Sequence, residues 1–457
     1  MDDRNPDVLI CGAGIAGLST AYHLMKKRPQ LSVVLVDEGP PLSLTSDKSG
    51  ECYRNFWPGR EPSMVRMMNR SIDILEEFAD KTDNIFNMNR RGYVFATAQP
   101  EKVDAYRGSG LSAQENGAGE LRVHNGTLSS PAYQYPPPEG YSGQPDGSDL
   151  ILDKDLIHAC FPEMTERTVA LLHVRRAGWL SAQQLGMYLL QEVQRLGASI
   201  VNDRLERVLT GGGRLGSVIL SGNGEVTTGA FVNAAGPWIQ HIGRLIGVEL
   251  PVFTELHLKA SFHDHLGTVS RGAPMLIWGD PEYLVWSEEE RNFLASAEET
   301  RWFLEEFPSG VHTRPEGGLD SDILLLLWEY NTGSHPVKFP VPLEPEFPEL
   351  ALRGICNMLP GMEAYLERLP KPGLDGGYYT KTQENRPLAC PMAIEGTYLI
   401  GALSGFGIMA SQGLGELLAQ LILGTDIPEY APAFDLRRYQ DAGYQKLLAE
   451  WGDSWQL

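Results

Sequence analysis

Apolar positions along the chain recur with two periods, and the switches between them outline its architecture. Residues 7–12, Asp-Val-Leu-Ile-Cys-Gly, hold a short continuous apolar run, the pattern of a strand buried on both faces. Helical spacing follows over 18–27, then a second run, Leu31-Ser-Val-Val-Leu-Val-Asp37, so the opening predicts a βαβ unit. Residues 63–79 carry Met64, Met67, Met68, Ile72, Leu75 and Phe78 at helical spacing, which predicts an amphipathic helix with its methionine stripe in the core. Residues 92–97 predict a strand, and the Pro-, Gly- and Ser-rich stretch 124–149 a long, mobile surface loop. A helix is expected over 181–196, stopped by Gly197, then meander strands at 198–201, 216–220 and 225–228. Gly229-Ala-Phe-Val-Asn-Ala-Ala-Gly236 is again a strand running into glycine.

From residue 250 to 379 the pattern changes to β runs at 255–262, 274–278 and 323–330, interrupted by one charged helical stretch, 287–306, whose acid run reads as a solvated face. Residues 396–424 return to strand, glycine-rich turn and helix. With 457 residues the chain exceeds one ordinary core. The order predicts an α/β fold. A Rossmann-like nucleotide-binding domain (1–80, 151–248 and 385–457; parallel sheet plus β-meander) is interleaved with an antiparallel-sheet α+β domain (81–150 and 249–384).

The first glycines have separable tasks. In Gly12-Ala-Gly14-Ile-Ala-Gly17, Gly12 makes the tight turn, Gly14 admits a pyrophosphate to the backbone, and Gly17 lets helix pack on strand. The helix start offers N–H groups and a positive dipole end to phosphates. Asp37 closes the next strand with a carboxylate placed to accept from a ribose. A dinucleotide is the implied ligand.

Composition narrows the remaining classes. A hydrophobic share of 42% and a charged share of 21% fit a soluble globular protein. The net charge of −21 argues against nucleic acid and disfavours anionic membrane surfaces. The apolar stretch 397–424 is broken by Ser404, Ser411, Gln412 and Glu416, so a buried strand–turn–helix is expected rather than a membrane span. Five widely spaced cysteines with no C-x-x-C give no basis for disulfides or zinc, and a reducing cytoplasm is expected. No basic-then-apolar leader precedes the first strand. His263-Asp264-His265 lacks a third ligand cluster, and no metal is expected.

Three motif blocks resemble those of the D-amino acid oxidase superfamily of FAD-dependent oxidoreductases, most closely the branch of sarcosine oxidase, glycine oxidase and dimethylglycine dehydrogenase. They are Gly12 to Asp37 with Thr45-Ser-Asp-Lys-Ser-Gly50 and Arg54; Asn233-Ala-Ala-Gly-Pro-Trp238; and Tyr378-Tyr-Thr-Lys-Thr with Gly401-Ala-Leu-Ser-Gly405-Phe-Gly407. The resemblance covers nearly the whole chain. It implies that the first domain binds FAD and the second a small-molecule amine or amino acid, oxidised with oxygen or another electron acceptor. By the same likeness the cofactor lies against Gly12, Gly14, Ile15, Ala16, Gly17, Asp37 and Glu38; then Thr45, Ser46, Lys48, Ser49 and Gly50; then Val208, Ala235, Gly236 and Trp238; and finally Gly405, Phe406, Gly407, Ile408 and Met409. The last turn points a helix N-terminus where a reduced flavin gathers negative charge.

The departures from the family pattern bear on the substrate. Met409 stands where sarcosine oxidases carry a carboxylate-binding lysine, Phe406 where a histidine is common, and Tyr379 where D-amino acid oxidase has its arginine. Arg54 remains as a carboxylate anchor, or else as a structural ion pair with Glu51 or Glu61. His257 resembles a histidine of the dimethylglycine dehydrogenases that could accept a proton or orient an amine; a satisfied polar group on a sheet face is the alternative. Lys259 falls on the same strand face; either it supplies the positive charge that in sarcosine-type oxidases helps oxygen accept electrons, or oxygen is a poor acceptor here. The cysteine that sarcosine oxidases link to FAD aligns with Gly377, and the linking histidine of the dehydrogenases falls near Glu51, so non-covalent FAD is expected despite nearby Cys52. Two other functions stay open: a 2-hydroxy acid or polyol dehydrogenase of the same fold, with His257 as base, and a non-catalytic flavoprotein.

Overall fold

The computed structural model describes residues 5–451. A six-stranded sheet runs Leu388–Pro391, Thr397–Gly401, Ala230–Asn233, Val8–Cys11, Val33–Asp37, Ser199–Asn202, parallel except for the antiparallel pair at the Leu388–Pro391 edge. Alternation sorts its side chains. Val8, Ile10, Val33 and Leu35 face a helical layer, whereas Leu9, Cys11, Val34 and Val36 face the meander Leu205–Gly211, Arg214–Leu220, Gly224–Thr227. Both faces are covered, which is why these runs read as continuously apolar.

The helical layer holds Ile15–Lys27, Ser63–Lys81, Ala182–Arg195 and Gly407–Leu423. The first of these starts at Ile15, three residues earlier than its apolar spacing suggests. The one helical stretch among the described residues long and apolar enough to cross a bilayer, Ser404–Leu423, is packed between two of its neighbours. Ser19 Oγ donates to the Ser411 carbonyl at 2.8 Å, and Gly413 N–H donates to Ser71 Oγ at 2.9 Å. A Cβ on Gly415 would lie 2.3 Å from Ser19 Oγ. The glycines late in this helix therefore serve helix packing rather than the turn that precedes it.

The second sheet has nine strands in the order Gly373–Lys381, Phe253–His263, Ile323–Leu327, His312–Glu316, Met275–Trp278, Tyr93–Thr97, Ala170–Val174, Ser148–Ile151, Leu121–His124. It is largely antiparallel, with parallel pairs at Met275–Trp278/Tyr93–Thr97 and Leu121–His124/Ser148–Ile151. The boundary expected at residue 150 falls inside a strand of this sheet. Ala170–Val174 also pairs in it, so the chain stays in the second domain past residue 170. Helix Phe347–Met358, which the apolar spacing did not flag, covers one face by packing Leu350, Ala351 and Ile355 against Leu256, Leu258 and Leu324.

Two local expectations need correction. The charged stretch 287–306 is not one helix: Glu288–Ser296 begins with a Ser287/Glu290 capping box and ends at Ala297 in extended backbone. A short turn, Arg301–Leu304, then delivers Trp302 and Phe303 to an aromatic cluster with Phe307 and Tyr330. The loop between Leu121–His124 and Ser148–Ile151 is fastened rather than free. Tyr133 Oη meets His173 Nδ1 at 2.8 Å, Arg175 donates to the Gln134 carbonyl at 2.9 Å, and Arg91 donates to the Pro138 carbonyl at 2.6 Å.

Cys52–Arg54 pairs with Ala177–Trp179 in a two-stranded ladder outside both large sheets, and this ladder carries Arg54 to the junction of the domains.

Candidate active site

At the nucleotide end the turn Gly12–Gly14 sits between strand Val8–Cys11 and helix Ile15–Lys27. Gly12 has φ +114°, and a Cβ there would lie 2.3 Å from the Ala234 carbonyl oxygen; one on Gly17 would lie 2.0 Å from that of Gly12. Only glycine allows this crossing of three backbones. Ala13 N–H donates to Asp37 Oδ2 at 2.8 Å, Gly39 N–H to Oδ1 at 3.0 Å, and Ile15 N–H to Ser46 Oγ at 3.0 Å. Each carboxylate oxygen of Asp37 keeps a lone pair for a ribose hydroxyl. Gly14 has no side chain to cap the helix, so beyond the Ile15 N–H taken by Ser46 the helix start and its positive dipole end are left to a pyrophosphate. These residues fit the phosphate half of FAD.

The other cofactor candidates surround this turn at different depths. Ala235 and Gly236 continue the Ala234 turn that abuts Gly12. Thr45, Ser46, Lys48, Ser49 and Gly50 form a half-buried loop, with Lys48 paired to Asp47 (2.9 Å) and Asp375 (3.3 Å). Val208 is buried among Leu9, Val34 and Val36, Glu38 is exposed, and Trp238 tilts against Phe339 at 5.3 Å.

The far end is built by the turn Ser404–Phe406, with Ala402 and Ser404 in the left-handed region (φ +52° and +49°). A Cβ on Gly405 would lie 2.5 Å from the Tyr379 ring, so this glycine makes room for that tyrosine. Phe406 meets Trp57 edge-on at 4.9 Å, and Met409 Sδ accepts the Arg54 backbone N–H at 3.4 Å. The two departures from the family pattern are thus absorbed into packing against the Arg54 segment. Gly407 and Ile408 begin helix Gly407–Leu423, whose N-terminal end has no side-chain cap and faces a cavity.

That cavity lies between the domains. Arg54, His257, Glu329, Tyr379, Phe406 and Met409 are on its wall, with Cys52, Tyr93, His312 and Trp328. Three of the four catalytic candidates therefore converge. Lys259 shares the strand face of His257, but its Nζ donates to the Ser49 carbonyl at 2.9 Å and it is not among the lining residues. It fastens the 45–50 loop.

His257 is the most constrained group in the cavity. Strand alternation puts Glu255 and His257 on one face, and the antiparallel register sets Glu255 opposite Tyr379 and Phe253 opposite Lys381. His257 Nε2 lies 2.9 Å from Glu255 Oε2 and its Nδ1 lies 3.3 Å from Glu329 Oε1. Lys381 Nζ reaches the same Glu255 oxygen at 3.0 Å, and the Tyr379 ring stacks on the imidazole at 4.0 Å and 16°. Burial works against a charge on His257, but Glu329 and the Glu255 hydrogen bond outweigh it, and its pKa is raised. Burial likewise opposes charge on Glu329, yet His257, His312 and Lys381 hold its carboxyl below the usual range. With both ring nitrogens facing carboxylates, the geometry favours the doubly protonated imidazole. Tyr379 is pushed far upward by burial and stays a phenol, so its part is to stack rather than to take a proton.

Arg54 is buried at 3% exposure, its guanidinium 4.6 Å from the Trp57 ring and 5.8 Å from that of Tyr93. The two acids the sequence offers as its partners are engaged elsewhere: Glu51 with Arg314 at 3.2 Å, Glu61 with Arg386. Cys52 donates its thiol to the Gly50 carbonyl at 3.0 Å, and burial raises its pKa, so no thiolate is poised beside the cavity.

Glu255, Glu329 and Lys381 were not singled out from the sequence. Glu255 could have been found two residues before His257 by strand alternation. Glu329 carries a weaker signal, an acid just after the apolar run 323–327.

A family model described as FAD dependent oxidoreductase (DAO) matches residues 7–421. The mitochondrial dimethylglycine dehydrogenase of Rattus norvegicus is 22% identical over 447 residues, covering 96% of this chain and 45% of that protein. The chain thus spans under half the length of that relative. The mitochondrial L-2-hydroxyglutarate dehydrogenase of Caenorhabditis elegans is 25% identical over 119 residues, 26% of this chain and 27% of that protein. Among solved structures, L-proline dehydrogenase from P. horikoshii superposes with a TM-score of 0.72 at 16% identity, covering 96% of this chain and 98% of that one. Glycine oxidase from Geobacillus kaustophilus gives 0.71 at 16%, covering 95% and 99%. At these identities the structures show a shared fold.

Proposed function

The chain belongs to the DAO family of FAD-dependent oxidoreductases, and from that premise we propose that it oxidises the C–N bond of an amine or amino acid to an imine that hydrolyses in water. Bound FAD supplies the hydride acceptor, flavin N5. The residues of the chain do the rest. Gly12–Gly17, Asp37 and Ser46 hold the phosphate and ribose end, while the N-terminus of helix Gly407–Leu423 stabilises negative charge at the other. Arg54 receives the substrate carboxylate, and Trp328, Phe406 and Tyr379 exclude water from the cavity. Cys52, held as a thiol, leaves the FAD non-covalent.

The observation that carries this reading is His257 between Glu255 and Glu329. Alcohol oxidation needs a base for the hydroxyl proton, and an imidazole already protonated on both nitrogens is not one. An amine needs no such base once it is neutral, because its own lone pair drives the hydride out. The partial match to a 2-hydroxyglutarate dehydrogenase keeps hydroxy acid oxidation as the second reading. Anaerobic mixing of the flavin-loaded protein with a panel of N-alkylated and primary amino acids, and separately with 2-hydroxy acids, tests the choice. Bleaching of the yellow colour by an amino acid supports the proposal; bleaching by hydroxy acids alone overturns it.

A further inference from the structure

We propose that the groove between helices Glu288–Ser296 and Phe347–Met358 is a docking surface for a partner protein, which occupies it with a basic amphipathic helix. The groove shares no lining residue with the cavity between the domains, so its occupant does not depend on the amine reading.

The sequence concentrates charge here. Residues 287–306 and 344–353 hold ten glutamates against three arginines, a third of the chain's net charge of −21. Helix ends account for part of it: Glu288, Glu289 and Glu290 lie in the first turn of one helix and Glu349 in that of the other, where carboxylates offset the dipole. They do not account for the aromatic side chains set among these acids. Phe293 is 72% exposed on the groove wall, and Trp302, packed on Phe303, is 40% exposed. Helix Glu288–Ser296 buries only Leu294, so most of its apolar surface has no cover within the described residues.

The groove is a built feature. It encloses about 680 Å³ between Trp286, Phe293, Leu294, Phe303 and Leu350. Trp286 Nε1 donates to the Phe303 carbonyl at 3.1 Å, and the Arg353 guanidinium lies 3.8 Å from the Trp286 ring. Arg353 pairs with Glu290 and Glu349, each at 2.7 Å, which uses up those two carboxylates inside the wall. Glu289 and Glu346 stay exposed on the rim, with no ion pair among the described residues. The result is an apolar floor under uncompensated negative charge.

That combination selects the occupant. A second copy of this acidic chain and an anionic lipid surface are both repelled by the rim. A helix with apolar side chains three and four residues apart lays its stripe on Phe293 and Phe303, while lysines or arginines beside the stripe meet Glu289 and Glu346. Arg353 on Trp286 shows within the chain that these rings accept a cation.

The test uses the flavin-loaded protein and two fluorescent synthetic helices with the same leucine stripe, one flanked by lysines and the other by glutamates. Binding is read by anisotropy. The lysine helix is expected to bind one per protein, and the glutamate helix at least about tenfold more weakly. Phe293→Ser is expected to weaken the lysine helix about tenfold. Glu289→Gln with Glu346→Gln is expected to do the same and to flatten the salt dependence. Glu120→Gln with Glu139→Gln removes equal charge from exposed acids elsewhere and should keep affinity within about twofold. Equal weakening by the two double variants would show attraction to net charge alone and overturns the proposal. A lysine helix that does not bind, or that ignores Phe293→Ser, overturns it as well. So does a native protein that dimerises on concentration and loses that tendency in Phe293→Ser, since a second copy then fills the groove.

Discussion

Glu282 lies at the back of the cavity wall, and its ionisation should be visible in the stability of the whole protein. Its side chain is buried at 6% exposure, and neither carboxyl oxygen has a hydrogen-bond partner of normal geometry among the described residues. It is packed where helix Phe347–Met358 meets Trp328: a Cβ on Gly354 would touch both the Trp328 ring (2.6 Å) and Glu282 Oε1 (3.0 Å). Burial pushes the carboxyl from its ordinary 4.5 to about 8, with Asn357 opposing and Asp280 adding to the rise. The unfolded chain releases this proton near the ordinary value and the folded one holds it, so ionisation favours unfolding. The penalty is small below pH 4.5, grows as pH rises through that interval, and levels off above about pH 8. Each pH unit well inside the interval is worth about 1.36 kcal/mol and less near its ends, so roughly 3.5 kcal/mol is lost between pH 5 and pH 8. For a chain of this length that amounts to a few degrees in Tm, about 3 °C. Glu282→Gln keeps the shape and cannot ionise. Thermal unfolding of both proteins at intervals from pH 5 to pH 9 should show the variant gaining on the parent as pH rises, with little difference at pH 5. A constant offset at every pH would refute the reasoning.

Three further outcomes follow from the cofactor cradle. Gly17→Ala, whose Cβ would sit 2.0 Å from the Gly12 carbonyl, should yield protein that purifies with little FAD and rebinds it poorly in a fluorescence titration. Acid precipitation of the native protein should leave the yellow colour in the supernatant, since the half-buried Cys52 is held as a thiol on the Gly50 carbonyl; colour in the pellet would show a covalent link. Lys259→Met removes the bond to the Ser49 carbonyl, so FAD affinity should fall about tenfold while the rate of reoxidation in air stays within about twofold of native.

Much of the fold was legible because local pattern and tertiary role agree. Val8–Cys11 and Val33–Asp37 read as buried strands since sheet and helices cover both faces, and Gly12 and Gly17 read as a crossing that admits no side chain. The site was legible only in part. Arg54, His257 and Tyr379 fall in recognisable motifs, but Glu329 is brought to His257 from just beyond the end of the neighbouring strand Ile323–Leu327. Nothing in linear spacing connects residues 255, 329 and 381; a strand order and a register do. Lys259 misled because alternation gives the face of a strand but not how far along it a cavity extends. The stretch 287–306 misled because helical composition continues past Ala297, where packing of Trp302 and Phe303 against Phe307 redirects the chain.

The central claim is that a histidine clamped between two carboxylates at the flavin end of the cavity carries a proton on each ring nitrogen. Nitrogen-15 NMR of protein labelled in its imidazole rings, at pH 8 and assigned by comparison with His257→Gln, addresses it directly. The account predicts that both His257 nitrogens still carry protons at pH values above the ordinary imidazole midpoint, so that the ring titrates higher than an exposed histidine does. A His257 signal from one bare ring nitrogen would contradict it, and would return hydroxyl oxidation with His257 as base to first place.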